Sequence, residues 1–108
     1  MRIIIYAGET YLTGDDIADA LLEYSRALGD EDRAEIIEVP VRNELGELVS
    51  AKFLIGPASQ IVTEAVDVPG PEVVDTELVT RLRRLTGAAE RPMSVPLAAE
   101  DVSDFDAG

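Results

Sequence analysis

The chain has 108 residues, 46% of them apolar and 29% charged, which is enough for one modest core and no second one. Its 22 acidic and 9 basic side chains give a formal charge of −13, and such a surface repels nucleic-acid phosphates and anionic lipid heads, which argues against direct binding to either. With no cysteine and no histidine, the chain lacks disulfides, thiolate metal sites, cysteine nucleophiles and the commonest general base.

The first element is Arg2-Ile3-Ile4-Ile5-Tyr6-Ala7, β-branched and aromatic without alternation, the pattern of a strand covered on both faces. Its apolar part, Ile3 to Ala7, is too short to cross a membrane and lacks the layout of a signal peptide, so a cytoplasmic protein without membrane contact is expected. Gly8-Glu9 has the Gly-X form of a two-residue II′ turn, leading to a second strand over Thr10–Thr13. A helix follows, with either Thr13 or Asp15 as its N-cap. Ile17, Leu21, Tyr24 and Leu28 share one face of it, and Gly29 is placed to end it.

Between Ala34 and Arg42, Ile37, Val39 and Val41 alternate with polar residues, and Pro40 suggests an edge or a bulge. Asn43-Glu44-Leu45-Gly46 reads as a type I turn closing into a glycine bulge, after which Val49, Ala51, Phe53 and Ile55 alternate again in a long hairpin. Gly56-Pro57 breaks the run, and Gln60 to Val68 has strand composition up to Pro69-Gly70-Pro71. A second helix should start with Asp75 as N-cap and a Val74/Val79 staple, bury Leu78, Leu82 and Leu85, and stop at Gly87. The reading is a single α+β domain over residues 1–87, order β-β-α-β-β-β-α, with a mainly antiparallel sheet of four to five strands and two helices. Residues 88–108, with two prolines and five acids, read as a flexible acidic tail.

Several groups of residues invite a functional reading. Asp15, Asp16 and Asp19 have the Asp-Asp-x-x-Asp spacing with which some prenyl-transferring enzymes hold Mg²⁺ and a diphosphate, although acids at a helix start also serve the cap and the dipole. Asp15, Asp19 and Glu23 recur every four residues, a carboxylate stripe for a basic partner or simply the solvated back of the helix. Arg81, Arg83 and Arg84 form the only basic cluster and could hold a phosphate or a carboxylate, or compensate the dipole and pair with surface acids; Arg81 and Arg84 join Asp15, Asp19 and Glu23 as the candidate interaction surface. Ser59 follows a strand but lacks a Gly-x-Ser-x-Gly elbow and any histidine to activate it, and no phosphate-binding glycine loop is present. In the tail, Leu97, Val102 and Phe105 interleave with Glu100, Asp101, Asp104 and Asp106, a composition that can order on a partner groove.

The run Tyr6-Ala7-Gly8, the helix opening Thr13-Gly14-Asp15-Asp16 and the hairpin ending in Gly56-Pro57 together resemble a group of short bacterial proteins, some of which carry an ATP-dependent DNA ligase label. The resemblance covers residues 1–86 and implies a fold without an activity. Ligase chemistry needs a lysine in a Lys-x-Asp-Gly context, whereas Lys52 precedes Phe53-Leu54-Ile55-Gly56.

The expectation is a non-enzymatic binding or protein-interaction module, without a cofactor or an assigned metal ligand, taking a protein partner of basic character or forming a homodimer through an exposed strand edge. The alternatives are an acidic mimic of nucleic acid that occupies a DNA-binding protein, and a small carboxylate-dependent Mg²⁺ enzyme.

Overall fold

A computed structural model describes residues 1–90, and the elements follow the expected order: β1 (Arg2–Tyr6), β2 (Glu9–Thr13), α1 (Asp15–Asp30), β3 (Glu35–Arg42), β4 (Leu48–Ile55), β5 (Ile61–Ala65) and α2 (Thr76–Glu90). The strands pair antiparallel in one five-stranded sheet, ordered β4-β3-β2-β1-β5, so the fold is α+β. Residues 88–90 of the expected tail belong to α2, and the remainder, including Leu97, Val102 and Phe105, lies outside the described residues.

Ile17, Leu21, Tyr24 and Leu28 are all buried, so the spacing on α1 faces the core as its period requires. They meet Ile4 of β1, Ile37, Val39 and Val41 of β3, Phe53 and Ile55 of β4, and Leu78 and Leu82 of α2 in one cluster. The β3–β4 turn is also as expected: Gly46 N–H donates to the Asn43 carbonyl, Gly46 has φ +81°, and the Asn43 side chain accepts from the amides of Leu45 and Glu47.

The ends of the other elements differ from the expectation, each for a local reason. The residues between β1 and β2 are Ala7 and Gly8, both with positive φ, because Tyr6 pairs with Glu9; the turn is type I′, and the alanine masked the usual Asn-Gly signature. Helix α1 runs through Gly29 to Asp30. Asp32 (φ +57°) supplies the left-handed residue, with Arg33 N–H on the Leu28 carbonyl and Asp32 N–H on the Gly29 carbonyl, so the helix closes in a Schellman motif that lacks glycine.

The N-cap of α1 is Gly14, not Thr13 or Asp15, and its capping acceptor comes from far along the chain: Asp15 N–H donates to the Glu72 carboxylate at 2.6 Å. A side chain at position 14 would meet the Val73 carbonyl oxygen at 1.9 Å, so glycine is needed for the Glu72–Val73 segment to lie so close. Asp75 caps α2 as expected, accepting from Leu78 N–H, but Val73 is the buried neighbour and Val74 stays exposed, which removes the Val74/Val79 staple. Gly87 does not end α2, since glycine costs only about 1 kcal/mol inside a helix and no left-handed residue follows it within the helix that runs on to Glu90.

The sheet is curled. Strands β4 and β5 lie at opposite ends of the strand order, yet residues 56–60 suffice to connect them. In a flat sheet β4 and β1 would stand about 14 Å apart, but the Tyr6 hydroxyl of β1 donates to the Leu54 carbonyl of β4. The Phe53 ring lies 5.3 Å from the Tyr6 ring and 4.9 Å from the Tyr11 ring, so the sheet bends around this aromatic trio. Between β2 and β3 the ladder holds one pair, Leu12 with Arg42, reinforced by the Thr13 hydroxyl donating to the Pro40 carbonyl.

Candidate functional site

The carboxylate stripe on α1 is largely occupied from within. The Met1 ammonium lies 3.1 Å from Asp15 and 3.0 Å from Glu72, while Arg2 lies 3.9 Å from Asp15 and 3.6 Å from Asp19. Glu72 first, and Asp15 second, hold the Met1 ammonium pKa above its ordinary value of 8.0. Glu23, the third member, is exposed and borders a hollow with Arg26 and Ile61. Among the described residues no three potential ligand side chains are grouped to hold a metal ion, Asp15, Asp16 and Asp19 included.

The arginines stand elsewhere. Arg81 borders a groove between α2 and the β3–β4 hairpin, beside Glu38, Asp75 and Glu77, a groove that none of Asp15, Asp19 and Glu23 lines. The arginines occupy the middle of α2, whose last turn holds no basic residue, and among the described residues Arg81, Arg83 and Arg84 form no hydrogen bond or ion pair. The ion pairs expected of them are thus not formed among the described residues, and they stand short of the last turn, where dipole compensation is strongest.

A different surface emerges from the register. Cross-strand partners share a face, which places Ile4, Tyr6, Tyr11, Ile37, Val39, Val41, Phe53 and Ile55 on the inner side against the helices. Ile3, Ile5, Leu12, Ile36, Leu48, Leu54 and Val62 point to the outer side. Four of these are large apolar residues in open solvent: Ile36 is 65% exposed, Leu48 and Leu54 57%, and Val62 51%. The continuous apolar run of β1 implied cover on both faces, but among the described residues only the inner face has it, leaving Ile3 and Ile5 half-buried.

Part of the outer face dips into a hollow of about 550 Å³ where the curl brings β1 and β5 up to β4. Ile5, Val62 and Leu54 form its walls, and Ala34, Pro57 and Ala58 close its end. Gly56 fits against Ala34 so tightly that an added Cβ would lie 2.9 Å from the Ala34 Cβ. Among the described residues no charged side chain lines the hollow, although charged residues are 29% of the chain.

The hydroxyl groups there are engaged. Tyr6 and Ser59 both donate to the Leu54 carbonyl, and Ser59 Oγ accepts from Gly56 N–H at 2.9 Å. Ser59 is thus a loop-closing residue rather than a nucleophile. The Met1 ammonium, the Arg33 guanidinium, raised by Glu35 and then Glu31, and the Tyr24 phenol, pushed up by burial and then by Glu35, have displaced pKa values. None of them lines the hollow, whose lining is mainly apolar.

Sequence reasoning missed this site because its walls come from β1, β4, β5 and the 56–60 connection, and no local pattern joins them. The usable signals were the uncharged stretch Gly56–Gln60 and the apolar Leu54 on the outward side of β4, in register with Ile36 on β3. Comparison of the chain with protein-family models, curated proteins and solved structures finds no match, so its function is read from this geometry alone.

Proposed function

We propose that the chain is a non-enzymatic protein-interaction module that docks through the outer face of its sheet, with the hollow between Ile5, Val62 and Leu54 receiving an apolar side chain. The observation that carries this reading is the placement of the exposed Ile36 in register with Leu54, which with the exposed Val62 walls one hollow. Scattered exposed apolar residues are ordinary, whereas a shared apolar face in a strongly charged chain is the mark of a contact surface. The charge-mimic alternative has less support, because Asp15 and Asp19 are engaged by Arg2 and the Met1 ammonium.

An uncharged apolar fluorophore such as Nile red tests the site. Its emission should rise on binding, fall back in Val62→Lys and Leu54→Glu, and be unaffected by Asp16→Lys on the far side of α1. A photo-crosslinking residue at Val62 should capture a partner in cells while one at Glu23 does not. Crosslinks that form at Glu23 and disappear with added salt would instead favour the acidic surface.

A further inference from the structure

We infer that the occupant of this hollow is a second copy of the chain, with Ile36 of each copy entering the hollow of the other. The inference rests on the docking role proposed for the outer face and names the partner. Ile36 is the most exposed large apolar residue of that face at 65% and pairs in register with Leu54, a wall of the hollow. Knob and hollow are therefore neighbours on one surface, and a two-fold axis between them places each knob in the opposite hollow, the self-complementarity that an isologous dimer requires.

Charge points the same way. The outward-facing ionic residues of the strands are Glu38, Glu64, Arg42 and Lys52, two of each sign. The strands' own contribution to this face is thus neutral in a chain of net charge −13, so two copies meet across the strands without local repulsion. A strongly basic partner would find its counter-charges on other surfaces. Glu38 and Lys52 stand opposite each other across β3 and β4, so the two signs are interspersed on that face. Long-range repulsion between two such acidic chains remains, and it is screened by salt.

Sedimentation equilibrium from dilute to concentrated protein, at low and high salt, tests the inference. The expected result is a monomer–dimer equilibrium that tightens with salt and weakens by roughly tenfold or more in Ile36→Lys and Val62→Lys. Ile36→Ser guards against a lysine that disturbs folding, and thermal melts confirm that all three variants fold. A monomer under every condition overturns the inference, as does a dimer that these substitutions leave intact. Nile red binding to dilute protein separates this failure from that of the docking role: a monomer whose hollow binds the dye loses only its self-partner, whereas one that does not bind it loses both readings.

Discussion

Gly14→Ala is the most demanding test of how the helices are seated. The new Cβ would lie 1.9 Å from the Val73 carbonyl oxygen and 3.0 Å from the Val73 carbonyl carbon. Both are backbone atoms, so no rotamer change relieves the clash and the 72–73 segment must withdraw by about 1 Å. That movement stretches the bond from Asp15 N–H to Glu72, now 2.6 Å, and lifts Val73 from a site where it is 4% exposed. Loss of a hydrogen bond to a charged acceptor costs about 1.5–3 kcal/mol. Partial exposure of a valine costs about 1 kcal/mol more, and the reduced freedom of the unfolded alanine chain returns about 0.5–1 kcal/mol. The net expectation is a loss of roughly 2–3 kcal/mol, a fall in Tm of about 10–20 °C. Urea titration followed by circular dichroism reads it. Gly29→Ala is the matched control, because position 29 lies inside α1 with nothing within 4 Å of an added Cβ, and there the same change should stabilise by about 0.5–1 kcal/mol. A Gly14→Ala protein as stable as the parent would refute the close approach and the Glu72 cap together.

Other outcomes follow from turns, termini and the curl. Ala7→Asn, in the type I′ turn, and Asp32→Gly, at the left-handed end of α1, should each raise stability by about 0.5–1 kcal/mol in urea titrations, because Asn and Gly accept positive φ more readily than the residues they replace. The Met1 ammonium has a folded-state pKa raised above 8.0; its contribution is therefore complete below pH 8 and is lost as pH rises through the folded value, so the urea midpoint should fall over that alkaline range. Amino-terminal acetylation or Glu72→Gln should flatten this profile. Tyr6→Phe, which leaves the Leu54 carbonyl with the Ser59 hydroxyl alone, should cost about 0.5–1.5 kcal/mol in the same assay.

What was legible in the sequence was whatever is decided within a few residues. The stripe Ile17, Leu21, Tyr24 and Leu28 fixed a helix and its buried side, and the alternation from Ile37 to Ile55 fixed a hairpin whose Asn43–Gly46 turn has its expected hydrogen bonds. What was hidden depends on residues far apart. The cap of α1 comes from a carboxylate 57 positions away, and the partners of Asp15 and Asp19 are Arg2 and the Met1 ammonium, brought there by the sheet. Local rules also competed: Gly29 looked like a helix stop, yet Asp32 took that role because a short polar side chain tolerates the left-handed region. The apolar run of β1 was legible as a strand, and the disagreement between its two apolar faces and the single layer above it led to the outer surface.

The single pair between β2 and β3 divides the sheet into a three-stranded block, β2-β1-β5, and a separate hairpin, β3–β4. Ile5 and Val62 belong to one block and Leu54 to the other, so the hollow is walled by both. Anything seated between its walls therefore ties the two blocks together, and amide exchange should slow first along β4 and β5 when the hollow is filled.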